Sequence, residues 1–332
     1  IWCVEDKVVQ GAVVEVLNSI FEADFHGLSY GFRPERSAHM ALQAAQTALQ
    51  KGRVNWVLDL DLKQCFDRIE HEALRQAVRR RVTDRSLLRL IDKWLTVGVV
   101  EKDGQRSRQT RGTPQGAPIS PLLANIVLHE AMDAVVVNWR RTQARGEVYL
   151  VRYADDAVLM VEHEADAVAL RAALEESLAR YGLEMNVAKT RLLRFGRHPP
   201  GGGRSETFDF LGFTHIAGQD RQGRYLVRRQ TMAKRFARSL SLVREWCQAR
   251  LHDPLLEQWK KLSAKLNGHY EYYGIRGNMD ALKRFRAAVR GSWIDTLRKR
   301  SQKSRIHAVV ALVDTHFALP APRITHPDDW LP

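Results

Sequence analysis

Three aspartates in two separate segments are the residues of this sequence best suited to catalysis. Asp155 and Asp156 stand between two apolar runs in VYLVRYADDAVLMV (residues 148–161), a pattern that predicts a β-hairpin with two carboxylates at its tip. Asp61 lies near the end of VNWVLDLDL (residues 54–62), which predicts a second strand. Taken alone, the hairpin pattern is also explained by an exposed acidic turn that does no chemistry. If the two segments pair, three carboxylates form a cluster of oxygen ligands suited to two divalent cations and to in-line displacement at phosphorus.

The strand that carries Asp61 has two faces of different composition. Because side chains alternate along a strand, the apolar face holds Trp56, Leu58, Leu60 and Leu62, and the opposite face holds Asn55, Val57, Asp59 and Asp61. Helical periodicity predicts helices at about 37–50, 67–82, 87–95, 120–139 and 164–181, and further strands are expected at 186–195 and 208–216. We therefore expect an α+β fold, with an antiparallel sheet that carries helices on one face.

The chain is strongly basic, and its charge is concentrated. Of 332 residues, 52 are Lys or Arg and 38 are Asp or Glu, which gives a net charge of +14 and a pI near 10.0. Residues 226–305 contain 20 Lys and Arg against 6 Asp and Glu, so this segment accounts for the whole net charge. Its apolar periodicity predicts helices at 230–251, 255–272 and 279–299. Such a module suits the backbone of a nucleic acid.

Composition also bounds the class and the compartment. A chain of this length with 45% hydrophobic residues can bury a sizeable core, and its length suggests two or three domains. The three cysteines, Cys3, Cys65 and Cys247, have neither disulfide nor metal-site spacing. This spacing leads us to expect reduced thiols and a cytoplasmic location. We find no uninterrupted apolar run long enough to span a bilayer and no secretory signal at the start.

Ordered motifs give the chain a family resemblance. Tyr153-Ala-Asp-Asp156, together with Asp61 followed five positions later by Phe66, resembles two catalytic motifs of a reverse transcriptase. The wider set resembles the blocks of group II intron reverse transcriptases, namely SYGFRPERSAH (29–39), GTPQGAPISPLLAN (112–125), NVAKT (186–190) and FLGF (210–213). A single Tyr-Ala-Asp-Asp is a weak signal, whereas five ordered blocks over the first two thirds of the chain are a strong one.

The resemblance implies a right-hand polymerase. Residues 1–225 would form the palm and part of the fingers, and residues 226–332 an all-helical thumb or maturase X domain. In the family, further finger residues precede a start like this one, so we expect an N-terminally truncated fragment. The implied activity is RNA-directed DNA polymerisation with Mg²⁺, which uses deoxynucleoside triphosphates, a DNA or RNA primer and an intron RNA template, and which is joined to assistance in splicing.

The resemblance also implies roles for individual residues. Asp61, Asp155 and Asp156, with the backbone carbonyl of Leu62, would hold two Mg²⁺ ions, and Lys189 would protonate the leaving pyrophosphate. Asp59 would lie outside the direct ligands. The nucleotide would be contacted by Arg33, Arg36, Phe66, Gln115 and Gly116, and the primer grip would be Phe210, Leu211, Gly212 and Phe213.

Plain structural interpretations of these residues stay open. The arginines would then be solvated, Gln115 and Gly116 would belong to a simple helix-entry loop, and Lys189 would be an exposed lysine on a strand. Phe66 would exclude a ribose 2′-hydroxyl from the site or would anchor the following helix in the core.

The basic module supplies candidate RNA-binding residues. They are Arg228, Arg229, Lys234, Arg235, Tyr270, Tyr272, Tyr273, Arg298, Lys299 and Arg300. The three tyrosines could stack on bases, although aromatic residues at this spacing more often pack between helices.

Three other functions remain to be distinguished. A related reverse transcriptase recruited to a defence or diversity-generating system would use the same catalytic residues, and its neighbouring genes would reveal it. An RNA-binding splicing factor without polymerase activity, or a non-catalytic basic scaffold, would not need the intact acidic triad of Asp61, Asp155 and Asp156. The triad therefore favours an enzyme.

Overall fold

The computed structural model describes residues 2–100, 106–108, 110–114, 116–197, 199, 201–300 and 305–326. The chain divides into two compact units. The first unit comprises Ile1–Leu211 and Gln219–Val227, and the second comprises Gly212–Gly218 and Arg228–Pro332. The first unit contains the acidic segments and the second contains the basic helices. The boundary after residue 225 stays a prediction about folding domains.

Helices and short strands alternate along the first unit. Its elements are α1 (Val4–Phe21), α2 (Ala38–Lys51), β1 (Trp56–Leu60), α3 (Cys65–Arg68), α4 (His71–Arg79), α5 (Arg85–Leu95), β2 (Gly98–Val100), β3 (Arg106–Arg108), α6 (Ser120–Leu128), a π-helical turn (His129–Asp133), α7 (Ala134–Thr142), β4 (Val148–Tyr153), β5 (Asp156–Val161), α8 (Glu164–Ala179), β6 (Arg191–Arg194) and β7 (Thr207–Phe210). Side-chain caps start three of the helices, and the cap of α1 is the Cys3 sulfur, which accepts from the N–H of Asp6. The Ser37 hydroxyl accepts from the N–H of Met40 before α2, and the Asp84 carboxylate accepts from the N–H of Leu87 before α5.

A four-stranded antiparallel sheet of order β4-β5-β1-β6 lies at the centre of the first unit. Its register places Leu60 of β1 opposite Ala157 of β5, and Tyr153 of β4 opposite Asp156 of β5. This pairing confirms the predicted α+β class with an antiparallel sheet. It also brings the end of β1 to the hairpin that carries the paired acids.

Both faces of this sheet are covered over most of their area. One face joins the main hydrophobic core through Leu58, Leu60, Leu150 and Leu159. The second face is also buried in its middle, at Val57, Val151, Val158 and Met160, and α2 packs against β4. The acidic side chains of the second face therefore lie toward one end of the strands, where the sheet is less covered.

A long helical segment, Ser120–Thr142, runs through the core as α6, the π-helical turn and α7. Among the described residues it alone is long and apolar enough to cross a bilayer by length and composition, although His129, Glu130 and Asp133 interrupt its apolar sequence. Since 67% of its most apolar stretch is buried within the protein, it is accounted for as a core helix. The Ser120 hydroxyl donates to the carbonyl of Pro114 (2.7 Å), and no side chain of the described residues caps the start of α6.

Helices dominate the described part of the second unit. They are α9 (Ala233–Ala249), α10 (Leu255–Tyr273), α11 (Met279–Arg298) and α12 (Ile306–His316). Their core includes Leu262, Leu266, Tyr270, Phe285 and Trp293. The Trp293 indole donates to the side-chain oxygen of Gln258 (2.8 Å), which satisfies a polar group inside this core.

A small sheet of order β7-β8-β9 includes β8 (Phe213–Gln219) and β9 (Tyr225–Thr231). β9 corrects the expectation of an all-helical chain from about residue 226. Its residues Tyr225, Val227 and Arg229 alternate with more exposed neighbours, a pattern of period two that the basic composition obscures.

One further local prediction is corrected. The segment 186–195 is a turn followed by the short strand β6, because the Asn186 carbonyl accepts from the N–H groups of Lys189 and Thr190.

The apolar residues of α1 are only partly buried. On α1, Val8 is 67% exposed and Val16 is 54% exposed, whereas Leu17 is fully buried. Only part of the apolar surface of α1 therefore faces the core.

Candidate active site

The predicted hairpin places Asp155 and Asp156 at its tip. Tyr153 pairs with Asp156, so the loop between β4 and β5 consists of Ala154 and Asp155. Ala154 has a φ of +57°, a left-handed conformation that is uncommon for a residue with a side chain and is found mainly where surrounding contacts enforce it. The Asp155 side chain is half-buried and Asp156 is exposed. Burial of both flanking strands holds the two acids at the edge of the core.

Asp61 reaches the same end of the sheet from β1. Leu60 pairs with Ala157, so the next residue of each strand in the direction of the tip is Asp61 on β1 and Asp156 on β5. The Asp61 backbone is held on both sides: its N–H donates to the hydroxyl of Thr190 (3.3 Å), and its carbonyl accepts from the N–H of Asn186 (2.7 Å). The register therefore brings together two of the three carboxylates that the sequence singled out.

Lys189 lies beside Asp61. Its ammonium nitrogen is 3.5 Å from a carboxylate oxygen of Asp61, and the two side chains are 68% and 35% exposed. Lys189 stands on the turn 186–190 and not on a strand, which corrects that part of the prediction. The same turn makes both hydrogen bonds to the Asp61 backbone, so the lysine and the aspartate are positioned by one element.

Asp59 has a different partner. Its carboxylate accepts a hydrogen bond from the Arg191 guanidinium of the neighbouring strand β6 (3.2 Å). Burial raises the pKa of Asp59, and the hydrogen bond and charge of Arg191 oppose that rise. The prediction that Asp59 lies outside the direct metal ligands stays a prediction.

The described residues contain no group of three or more His, Cys, Asp or Glu side chains arranged to hold a metal ion. The predicted cage of Asp61, Asp155 and Asp156 is therefore not preformed by these side-chain positions. The donor set itself fits a hard divalent cation, because it consists of carboxylate oxygens from adjacent strands and the nearby carbonyl of Leu62. The case for a divalent cation at these residues thus rests on the chemistry of their oxygen atoms and on the register of the strands.

A pocket of about 400 Å³ opens beside the hairpin tip. Its lining includes Asp155, Phe66, Gly116 and Cys65. Gly116 has a φ of +74°, and a Cβ there would meet no atom within 4 Å, so the backbone conformation and not space accounts for the glycine. Gln115 lies outside the described residues. Phe66 and Gly116, predicted as nucleotide contacts, therefore share one pocket with a predicted catalytic acid.

Cys65 is a pocket residue that sequence reasoning missed. Burial raises the pKa of its thiol to about 12, and the nearby Asp155 carboxylate adds to the rise. The thiol therefore stays neutral at physiological pH and serves as a small apolar wall. The signal for Cys65 in the sequence was its position directly before Phe66, in the segment that follows Asp61.

Phe66 is partly buried at the edge of the main core. Its ring lies edge-on to the ring of Phe32, with 6.5 Å between centroids. Phe32 is 54% exposed and has a φ of +56°. Phe66 therefore has one side against the core and another toward the pocket, so both interpretations of this residue retain structural support.

The two predicted arginines of the 29–39 block differ in environment. Arg33 is 7% exposed, and its guanidinium donates to both carboxylate oxygens of Glu22 and to the carbonyls of Phe25, His26 and Ser29. With its donors occupied, Arg33 holds the loop together, which argues against the predicted phosphate contact. Arg36 is half-buried and lies over the Tyr30 ring at 5.5 Å. Arg36 is thus the better candidate to contact a phosphate.

The predicted primer grip forms the turn between β7 and β8. Leu211 and Gly212 have φ values of +47° and +81°. Phe210, in the first unit, and Phe213, in the second, are 4% and 0% exposed. The two phenylalanine side chains are therefore buried, and of the four predicted residues only Leu211 and Gly212 are partly exposed.

Several predicted RNA-binding residues of the second unit are buried. Tyr270 is fully buried and donates its hydroxyl to the carbonyl of Pro320 (3.1 Å), and Arg229 is 3% exposed. Tyr272 and Tyr273 pack against Phe213, with ring centroids 5.9 and 5.2 Å away. These contacts favour helix packing for the tyrosines and correct the prediction for Tyr270 and Arg229.

The other predicted RNA-binding residues lie at the surface of the second unit. Arg228, Lys234, Arg235, Arg298 and Lys299 are exposed. Arg300 is only partly exposed and donates to the carbonyl of Asp253 (2.5 Å). The accessible candidates are therefore five exposed cations, at the start of the unit and at the end of α11.

Arg152 is the most unusual residue that the sequence analysis did not single out. It is fully buried on β4, directly before the Tyr-Ala-Asp-Asp segment, and forms an ion pair with the equally buried Asp133 of the π-helical turn (2.6 Å). An arginine within an otherwise apolar strand beside the acids was the available signal, since a charge in that position needs a buried partner.

The fold and the site together define a class of protein. An antiparallel sheet that presents Asp155 and Asp156 on a hairpin, beside Asp61 on the neighbouring strand, has the plan of a polymerase palm. Residues 1–215 match the reverse transcriptase (RNA-dependent DNA polymerase) family, and the chain belongs to that family. Members of this family generally use divalent metal ions. The resemblance drawn from the motifs is confirmed.

Individual relatives agree with this assignment. Protein YkfC of Escherichia coli (strain K12) is 34% identical, over 72% of this chain and 68% of YkfC. Group II intron-encoded protein LtrA of Lactococcus lactis subsp. cremoris is 42% identical, over 38% of this chain and 20% of LtrA. The structure of apo telomerase from Candida tropicalis has a TM-score of 0.53 and 15% identity, over 92% of this chain and 50% of that chain. The telomerase likeness concerns the fold alone.

Proposed function

We propose that this protein is an RNA-directed DNA polymerase of the group II intron type, which extends a primer on an RNA template. The strand register supports this most strongly, because β1 and β5 bring Asp61 to the same end of the sheet as Asp156. Asp155 lines the adjacent pocket together with Phe66 and Gly116. A pocket of about 400 Å³ is large enough for part of a nucleotide.

Asp61, Asp155, Asp156 and the carbonyl of Leu62 would hold two Mg²⁺ ions. These are oxygen donors of the kind that a hard divalent cation takes. When bound, Mg²⁺ would supply neutralising charge at the phosphates and at the primer 3′-hydroxyl. Asp59 stays paired with Arg191 and would shape the field around this site without direct contact.

The remaining residues of the site would position the substrate and move a proton. Lys189 would donate a proton from its ammonium group to the leaving pyrophosphate, and its place 3.5 Å from Asp61 puts it beside the reacting groups. Arg36 would pair its planar guanidinium with the triphosphate. The ring of Phe66 would occupy the space that a ribose 2′-hydroxyl needs.

The second unit would bind the nucleic acid, and within an intron-derived protein it would also bind the parent RNA and assist its splicing in the cytoplasm. The five exposed cations and the net charge of +14 over residues 226–305 support this assignment. Cations along a surface contact phosphates without reading sequence. Deoxynucleoside triphosphates and a primer would complete the substrates.

Primer extension tests the proposed function. Purified protein, poly(rA)/oligo(dT), dTTP and Mg²⁺ should give extension that needs the RNA template, stops with EDTA and returns with added Mg²⁺. Asp61→Asn should fold and bind RNA normally but extend poorly, which excludes a contaminating polymerase. An absence of extension by protein that binds RNA well would instead favour a splicing factor without polymerase activity.

A further inference from the structure

A buried ion pair lies directly under the hairpin that carries the paired acids. Arg152 and Asp133 are both 0% exposed, and the guanidinium donates twice, from Nε to Oδ1 (2.8 Å) and from Nη2 to Oδ2 (2.6 Å). Taking two charges out of water is costly, so such a pair persists only where the two ions are well aligned and their remaining donors and acceptors are also hydrogen-bonded. Asp133 closes the π-helical turn, a local distortion that often occurs at functional sites.

The remaining guanidinium nitrogen of Arg152 reaches the tip itself. Nη1 donates to the carbonyl oxygen of Ala154 (2.9 Å) and to the side-chain oxygen of Asn125 (2.9 Å). The Asn125 amide in turn donates to the carbonyl of Gly31 (2.7 Å). One network therefore joins the hairpin, the long core helix and the loop of the 29–39 block.

Gly31 closes the network from the other side. A Cβ added there would lie 2.4 Å from the backbone nitrogen of Ala154, so only glycine lets the loop approach the tip. The backbone of Arg152 also bonds to this loop, because its N–H donates to the carbonyl of Leu28 and its carbonyl accepts from the N–H of Tyr30 (both 2.9 Å). Ala154 is thus held in its left-handed conformation by the hydrogen bond from Arg152 to its carbonyl and by the close approach of Gly31 to its backbone nitrogen.

We infer that Arg152, Asp133 and Asn125 are positioning residues that set the place of Asp155 and Asp156 for metal binding. Ala154 is adjacent to Asp155, so a small rotation of the Ala154 peptide moves the carboxylate by a comparable distance. The geometry requires arginine, because a lysine has one nitrogen and cannot span both oxygens of Asp133 and also reach Ala154. This inference rests on the proposed function for its catalytic meaning, but metal binding can be measured separately.

Arg152→Lys tests the inference in the full chain. We expect Mn²⁺ binding to the free protein, followed by electron paramagnetic resonance, to weaken at least fivefold. The Mg²⁺ concentration for half-maximal extension should rise by a similar factor, and kcat should fall at least tenfold with KM for dTTP nearly unchanged. Leu170→Val, in the buried part of α8, is the control: it lowers Tm but should leave both metal midpoints in place.

A second variant keeps the test decisive if Arg152→Lys does not fold. Gly31→Ala leaves the ion pair intact and pushes on Ala154, and it should shift both metal midpoints in the same direction. Unchanged Mn²⁺ and Mg²⁺ midpoints in a folded variant would overturn the inference. Wild-type protein that binds Mn²⁺ but does not polymerise, with binding weakened in Arg152→Lys, would support the positioning role and refute the proposed polymerase function.

Discussion

At the scale of single residues, the acids of the site are set apart by what surrounds them. Asp59 has its own arginine, Asp61 lies beside Lys189, and Asp155 lines the pocket. Cationic side chains placed in this way reduce the repulsion between carboxylates that stand near one another. Asp59, Asp61 and Asp155 therefore have separate environments, although all three lie in or next to strands β1 and β5.

Replacing Asp155 by Asn preserves volume and removes one negative charge from the proposed metal site. We expect primer extension to fall at least roughly 100-fold, because the charge that attracts the cations is reduced where the phosphates react. Affinity for RNA should stay within about twofold, since the exposed cations are in the second unit. Single-turnover extension and a filter-binding titration measure the two effects. Extension within tenfold of wild type would contradict the assignment of Asp155.

Phe66→Ala separates the two interpretations of that residue. If the ring excludes the 2′-hydroxyl, its removal should lower discrimination between deoxy- and ribonucleotides by roughly 10–100-fold, measured as the ratio of their kcat/KM values. Because Phe66 is only partly buried, the loss of stability should be about 1–2 kcal/mol, less than for a fully buried ring. An unchanged ratio in a folded variant would leave Phe66 as a core anchor.

At the scale of elements, backbone contacts between segments distant in sequence position the site. The turn 186–190 holds Asp61, and the loop of the 29–39 block holds Ala154. In the second unit, helices α10 and α11 contact each other through side chains. The ring of His269 on α10 stacks on Phe285 of α11 with 3.8 Å between centroids. Burial lowers the pKa of His269 to about 4.

The His269 contact predicts a pH dependence of stability. The unfolded state takes up a proton at a pKa near 6.5, whereas the folded state resists it down to about 4. The contribution of neutral, buried His269 to the unfolding free energy is therefore fully present above pH 6.5 and is lost as the pH falls toward 4. About 2 kcal/mol of the unfolding free energy should be lost between pH 7 and pH 5. Urea unfolding at both pH values should show this loss in wild type and a smaller one in His269→Phe. Equal losses in the two proteins would refute it.

At the scale of the whole molecule, the basic residues and the candidate catalytic acids lie in different parts of the chain. The segment 226–305 carries the entire net charge of +14, and the first unit carries Asp61, Asp155 and Asp156. Under the proposed function, the basic segment would attract nucleic acid and the aspartates would carry out the chemistry. Binding and chemistry should therefore respond to different substitutions.

Replacing Lys234, Arg235, Arg298 and Lys299 by glutamine should weaken RNA binding and lower the salt dependence of the affinity. The slope of log K against log salt should fall by up to about 3, because fewer counterions are released when fewer phosphates are contacted. The control replaces four exposed cations of the first unit, Arg79, Arg85, Arg89 and Lys93. Fluorescence anisotropy at several salt concentrations measures both. Equal effects of the two sets would show that the second unit has no special role.

Patterns that act over short distances were readable from the sequence. The alternation in 54–62 and the acids of 148–161 gave β1, β4 and β5, and the apolar periodicity of 255–272 and 279–299 gave α10 and α11. The motif order gave the family, since it depends on chemistry at fixed spacing. Predictions failed where local signals conflict, as in β9, where basic side chains mask a strand.

Other features were decided by the tertiary structure alone. Whether an arginine can bind a substrate phosphate or instead stabilises a loop depends on its contacts with residues distant in sequence. Only the fold shows that the Arg33 guanidinium is hydrogen-bonded to the Glu22 carboxylate, while Arg36 remains partly exposed. Tyr270 is fully buried for the same reason. The sequence by itself indicated the acidic residues that are candidates for the chemistry and the strands next to which they lie. Packing decided which candidate residues are exposed, because burial and the pairing of Arg152 with Asp133 depend on segments that meet only in the folded chain.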